Sequence, residues 1–370
     1  MSFDFDTPVE RRGTWSTRWD RYGADVIPLW VADSDFRSPP EVSAALAARA
    51  QQVLGYTTAP AELTQQIVER LERLYGWRVD PSWIVFLPGL VAGLYLATRR
   101  LSSAGQHGLV PVPVYQHLRR ALALAPREFT EVPMVLDAGR WVLDLDALSA
   151  AIRPETRVFN FCNPHNPGGT VFRRAELERI AAATRDLLIV SDEIHCDLVL
   201  EPGAQHVPIA SLDREVSRRT VTLMSPNKTF NFPAAGCAWA IIEDAALRKA
   251  FAEELNAHVL PSPSVFGYDA ALAALRHGDD WLAAQVDYLR RNRDLVEARI
   301  GLPMAHVEAT YLAWIDCAPL GVPDAYAHFL KKGVALSPGA QFGAPRFVRL
   351  NFATQRVRLE AALERMASAA

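Results

Sequence analysis

Short apolar runs recur through the middle of the chain: WIVFL (83–87), GLVPV (108–112), RVFNF (157–161), LLIV (187–190), TVTLM (220–224) and GCAWAII (236–242). Near-continuous apolar segments of this length suit a sheet covered on both faces, because neither face is left to water. Between them, ELTQQIVERLERLYG sets Leu63, Ile67, Leu71 and Leu74 on one helical face, and AELERIAAATRD does the same with Leu177 and Ile180. The pattern predicts an α/β fold with a mixed, mainly parallel sheet flanked by helices.

From Asp279 the spacing changes. Leu282, Val286, Leu289, Val296 and Ile300 follow a long helical period through a charged segment. HVEATYLAWIDC and FVRLNFA (347–353) then alternate like half-buried strands, with a helical, KK-containing segment between them and an amphipathic tail behind. This part reads as a smaller α+β domain. The opening forty or so residues are too short to fold alone and are expected to pack against it. The expected division is an N-terminal segment (1–45), a large domain (46–280) and a small C-terminal domain (281–370). A chain of 370 residues supports two packed units, since single cores seldom grow beyond roughly 250–300 residues.

Charge and composition narrow the partners. The formal net charge is −3, from 39 basic and 42 acidic residues, without a long block of one sign. No electrostatic footprint for nucleic acid or anionic lipid follows from this. The start, MSFDFDTPVERRG, carries acids where a secretory signal carries bases, and no apolar run reaches the roughly 18 residues of a membrane span. The sequence therefore predicts a soluble, cytoplasmic protein acting on a small molecule. Cys162, Cys196, Cys237 and Cys317 are scattered without a CxxC pair, so neither a disulfide framework nor a metal site is expected.

In open α/β sheets ligands bind beyond the carboxyl ends of the strands, so the residues after each apolar run carry the chemistry. WIVFL leads to PGLVAGLYLA, where Gly89, Leu90 and Val91 open a helix whose N–H groups suit a phosphate. GLVPV leads to Tyr115, which either stacks on a planar ligand or simply packs. RVFNF leads to CNPHNPGGT, a rigid turn whose Asn166 is either a ligand donor or structural. LLIV leads to SDEIHCDL, with Asp192 at the end of a buried run, a costly place for a carboxylate without a partner. TVTLM leads to SPNKTF, with Ser225 and Lys228 on one turn. Pyridoxal phosphate explains all of these ends together: an amine for its aldehyde, a carboxylate for its pyridine nitrogen, N–H and hydroxyl groups for its phosphate, and an aromatic face for its ring.

NPHNPGG, SDEIH, SPNKTFN and RLNFA, in this order, resemble the fold-type I pyridoxal-phosphate enzymes of the class I and II aminotransferase superfamily. FDTPVERRGTWSTRWD, LWVADSDF, LGYTT and SDEIHCDL resemble, more narrowly, the cystathionine β-lyase-like carbon–sulfur lyases of the MalY/PatB branch. The resemblance runs from Phe3 to about Ala353. It implies that Lys228 bonds the cofactor, Asp192 faces the pyridine nitrogen, and Asn166, with His195 beside it, faces the ring hydroxyl. It implies also that Tyr115 stacks on the ring, that Gly89, Leu90, Val91 and Ser225 hold the phosphate, and that Arg349 and Asn166 bind the substrate carboxylate. Tyr56 resembles the tyrosine that reaches the neighbouring subunit's site, which implies a homodimer. The implied activity is α,β-elimination on cystathionine or another S-substituted cysteine; the alternatives are an aminotransferase and a cofactor-binding regulatory protein with vestigial lyase activity. Asn227, Gly236, Gln116, His117 and Ser34 depart from the family pattern.

Overall fold

The computed structural model describes residues 3–368 apart from 102, 104, 126, 258 and 259. In chain order the strands are β1 (Ile27–Pro28), β2 (Ile84–Leu87), β3 (His107–Val112), β4 (Glu128–Asp137), β5 (Arg140–Leu143), β6 (Thr156–Cys162), β7 (Leu188–Asp192), β8 (Thr220–Met224), β9 (Ala238–Ile241), β10 (Leu312–Asp316), β11 (Val334–Ala335), β12 (Ser337–Pro338) and β13 (Phe347–Asn351). The large sheet has the order β2-β9-β8-β7-β6-β3-β4-β5, with β5 and β9 reversed against parallel neighbours. Each predicted apolar run lies in this sheet, shortened or lengthened by a residue or two at its ends.

Alternation along the central strands divides the packing. Val158 and Cys162 of β6, Val190 of β7 and Val221 of β8 join Leu94 and Ala97 on one face. Phe159, Phe161 and Ile189 join Leu177 and Ile180 on the other. Each such side chain, fully buried, contributes roughly 1.5–3 kcal/mol as an upper bound. A third cluster gathers Phe5, Leu29 and Phe36 with Leu289 and Val296 of the helix Asp279–Arg299 and with Leu312, Val348 and Leu350 of the three-stranded sheet β10-β13-β12. The N-terminal segment also pairs through β1 with β11.

One expectation needs correction and one strand lies outside the apolar runs. The polar stretch EFTEVPMVLD forms β4, in which Val132 and Met134 turn inward and their neighbours face solvent. HVEATYLAWIDC is a strand only from Leu312 onward. Its alternation is broken by Thr310, whose φ of +75° is a left-handed conformation costing a β-branched residue on the order of 1–3 kcal/mol.

Helices α1 (Pro40–Ala50) and α2 (Ala61–Tyr75) precede the large sheet in the chain, and α3 (Leu90–Arg100) and α4 (Gln116–Ala123) start at the crevice. β7 and β8 lie on one side of β6, and β3 lies on the other. That switch in direction opens a crevice at the carboxyl ends of these strands. The turn behind the lysine is braced by the helix Val265–His277, where a Cβ on Gly267 would meet the Ala235 and Gly236 carbonyl oxygens, each at 2.6 Å. Gly267→Ala is expected to destabilise the fold by roughly 1–3 kcal/mol in urea denaturation, opposite to the gain of about 1 kcal/mol that helix propensity alone gives. A gain would show that the two backbones are not in close contact.

Candidate active site

The crevice holds a cavity of about 340 Å³. Gly89, Leu90, Val91, Tyr115, Asn166, Asp192, His195, Ser225, Lys228 and Arg349 all line it, carried by the ends of five apolar runs and by β13. Tyr56 is the exception. It stands fully exposed on the segment between α1 and α2, outside this cavity.

Lys228 leaves the turn after β8 and donates through Nζ to the Ala32 carbonyl oxygen. Burial presses its pKa down to about 8, with Arg349 acting the same way and Asp33 and Asp192 opposing. The turn itself is clamped from outside the cavity. Thr229 Oγ1 donates to Asp197 at 3.2 Å, Asp197 pairs with Arg70 of α2 at 3.0 Å, and Gln285 donates to the Thr229 carbonyl at 3.1 Å. Asn231, with φ +53°, bonds Ser34 on both its N–H and its carbonyl.

Asp192 ends β7 nearly fully buried, its carboxylate taking a hydrogen bond from the Ile194 N–H at 3.2 Å. Desolvation pushes its pKa up to about 7 although that bond and Lys228 oppose it. His195, on the same loop, is driven down to about 3 by burial, then by Lys228 and Arg349, so it stands neutral, and its Nδ1 has no partner among the described residues. His165, which the sequence places in the middle of the Asn-Pro turn, is a packing group. It accepts from the Gly168 N–H and donates to the Pro113 carbonyl at 2.9 Å.

Arg349 is buried and meets no carboxylate among the described residues. It donates to Asn166 Oδ1 at 3.0 Å, to the Trp30 carbonyl at 3.0 Å and to Ser337 Oγ at 3.3 Å, with its guanidinium over the Phe342 ring at 4.6 Å. Burial presses its pKa down to about 10, and Nε has no hydrogen-bond partner among the described residues. A buried cation held only by neutral acceptors suits an anion, because an opposite charge offsets the cost of its desolvation.

The remaining predicted residues take defined places. Tyr115 precedes α4, donates its N–H to the Asn166 carbonyl at 2.9 Å, and keeps a neutral phenol whose pKa burial and Asp192 raise to about 12. Gly89 caps α3 without a side-chain bond, leaving the first-turn N–H groups open to the cavity. Ser225 gives its proton to the Cys237 carbonyl at 2.6 Å and accepts from the Asn227 N–H at 3.2 Å. The sequence reading did not single out Trp30, Ala32, Ser337 and Phe342, which complete the lining. They come from segments whose only signal was their place in LWVADSDF or beside the RLNFA strand.

The donor set fits pyridoxal phosphate. A buried carboxyl with no ion pair among the described residues, an Asn166 amide whose NH₂ has no partner among them, a neutral imidazole, an amine held only by a backbone carbonyl and an open helix start converge on one cavity. Each lacks a partner that this group would bring.

One consequence concerns the unliganded chain. The unfolded Asp192 carboxyl has lost its proton by about pH 5, whereas the folded one keeps it to about 7, so its contribution to stability falls as pH rises across that interval. Asp192→Asn should therefore be more stable than the parent in urea denaturation near about pH 8, by roughly 2–4 kcal/mol, with the gap closing towards about pH 4. A gap independent of pH would contradict this account of Asp192.

Comparison with known proteins gives the same picture. The family model described as aminotransferase class I and II matches residues 24–366. Cystathionine beta-lyase PatB of Bacillus subtilis (strain 168) is 32% identical over 385 aligned positions covering 99% of each chain. The crystal structure of OvoB superposes with a TM-score of 0.95 at 44% identity, covering 98% of each chain. Cystalysin from Treponema denticola, whose structure contains pyridoxal 5'-phosphate, superposes with a TM-score of 0.92 at 29% identity, covering 99% of this chain and 98% of its own. The chain therefore belongs to the class I and II aminotransferase family of pyridoxal-phosphate-dependent enzymes.

Proposed function

We propose that the protein is a carbon–sulfur β-lyase that converts cystathionine or a related S-substituted cysteine into pyruvate, ammonia and a thiol. The observation that carries the reading is the convergence of an amine and a buried guanidinium on one cavity: Lys228, held on the Ala32 carbonyl, and Arg349, held only by neutral acceptors among the described residues. Relatives named cystathionine beta-lyase and C–S lyase support the carbon–sulfur choice.

Lys228 would bond the cofactor, Asp192 would face its pyridine nitrogen, and the α3 start with Ser225 would take its phosphate. Asn166, His195 and Tyr115 would hold its ring. Bound there, the group supplies an electron sink for the charge left when the α-proton departs. The chain's own residues do the rest. Arg349 offers a two-pronged guanidinium to the α-carboxylate, already aimed by Asn166 and Ser337. Lys228, with its pKa lowered, takes the α-proton as a neutral amine. Asp192 meets a cation that removes the cost of its burial. Loss of the sulfur substituent as a thiol leaves an enamine that water hydrolyses to pyruvate and ammonia.

Two features of the sequence reading belong to the same proposal. Tyr56 would enter the partner's site in a homodimer, which accounts for a fully exposed tyrosine beside exposed Val53 and Leu54. The chain would divide near residues 45 and 280, with the helix Asp279–Arg299 opening the smaller domain. Among the described residues no helix is long and apolar enough to cross a membrane.

Incubation with cystathionine or an S-alkyl cysteine, without a keto acid, should release pyruvate and thiol together. Product that appears only when a keto acid is supplied would make the protein an aminotransferase instead. Lys228→Ala is expected to lower turnover by at least roughly 10²–10⁴-fold and to abolish borohydride trapping of the cofactor. Arg349→Ala should raise KM by roughly 10–100-fold, since charged hydrogen bonds to the carboxylate are lost.

A further inference from the structure

Two donors meet on one carbonyl oxygen at the cavity wall. Lys228 Nζ and the Tyr311 hydroxyl, the latter at 3.1 Å, both donate to Ala32 O, and no other donor among the described residues reaches that oxygen. Tyr311 is almost fully buried, and its ring stands edge-on to His195 at 5.9 Å and 85°. It directly follows Thr310, the residue with φ +75°. The Thr310 backbone is fixed by its N–H to the Leu198 carbonyl at 2.8 Å, and its hydroxyl receives the Leu312 N–H at 3.1 Å. A β-branched residue persists in such a conformation only where its surroundings over-determine it. Here the strained bend lies immediately before Tyr311, which β10 follows, so it sets the direction in which the phenol leaves the backbone.

A carbonyl shared by two donors holds each less strongly than it would hold one. The second hydrogen withdraws electron density from the oxygen, and its positive charge repels the first. From this geometry we propose that Tyr311 is a positioning residue for Lys228: its hydroxyl occupies part of the Ala32 carbonyl and so loosens that oxygen's grip on the protonated amine. The lysine is thereby kept available as a neutral base and nucleophile.

The surrounding charges leave room for such an effect. Asp33 and Asp192 favour the ammonium of Lys228, Arg349 opposes it, and His195 beside it is neutral. Asp33, Arg349 and Arg18 face Tyr311, where burial and Asp33 raise the phenol pKa, so it stays a donor. Arg11 and Arg18 in turn hold Asp33 at 2.6 and 3.4 Å, which fixes the backbone that presents Ala32. The inference rests on the reading of Lys228 as the reactive lysine.

Tyr311→Phe keeps the ring on His195 and removes only the hydroxyl. The ionisation of Lys228 is read in two ways. One is the pH dependence of its acylation in the full chain stripped of cofactor, followed by peptide mass spectrometry. The other is the acid limb of the kcat profile of the loaded enzyme. Both midpoints are expected to rise by roughly half to one pH unit in the variant. Thr310→Gly, which frees the backbone that aims the phenol, should move them in the same direction and serves if Tyr311→Phe does not fold. Midpoints that stay or fall overturn the role of Tyr311. Borohydride trapping separates the two assignments: a label on a residue other than Lys228 removes the lysine reading itself, whereas a label on Lys228 with unmoved midpoints removes only the Tyr311 inference.

Discussion

The structure depends on the burial of four ionisable groups, Lys228, Asp192, His195 and Arg349, in one cavity where they do not neutralise each other. Lys228 is held by a backbone carbonyl, and Arg349 by an amide, a hydroxyl and another carbonyl. Such groups destabilise an empty fold. They persist because the surrounding framework is over-built. The two apolar faces of the large sheet fix the strand ends from which most of the site projects. The N-terminal segment is fastened over the opening by a charge cluster in which Asp35 takes hydrogen bonds from Arg11, Trp19 and Thr354.

This framework explains why the lysine turn is tied down on its outer side. The Arg70, Asp197 and Thr229 contacts lie behind Lys228, away from the ligand space, together with Gln285 from the helix Asp279–Arg299. Bonds at that position restrain the backbone without occupying the side chain. The amine can move between the Ala32 carbonyl and a ligand while its Cα stays fixed, which is the arrangement that a swinging base requires.

Much of this was legible in the sequence, for a physical reason. Strands buried on both faces are continuous apolar runs, so β6, β7 and β8 announce themselves, and polar residues at their ends stand out against them. Asp192 and Lys228 could be read in that way. β4 could not, because its inward positions, Val132 and Met134, are spaced through a polar, half-exposed segment. The cavity wall formed by Trp30, Ala32, Ser337 and Phe342 was equally hidden, since it arises from long-range contact between the two ends of the chain. Ala32 acts through a main-chain oxygen that no side-chain pattern encodes. Tyr311 lay inside an alternating stretch that looked like an uninterrupted strand, and only the backbone angle of Thr310 reveals that the stretch bends there.

The pairing of β2 with β9 bears on how the site comes into being. β2 leads into the Gly89 turn, β9 follows the lysine turn, and their edges meet through Leu87 and Ala238. The turn suited to a phosphate and the turn that carries the amine are thus neighbours in space but lie far apart along the chain. Closing so long a loop is entropically unfavourable. During synthesis the Gly89 turn emerges well before the lysine turn exists, so neither half can hold the ligand alone. The ligand site and the completed edge of the sheet are products of the same closure, and a molecule bridging both turns fastens the sheet at the seam most costly to close.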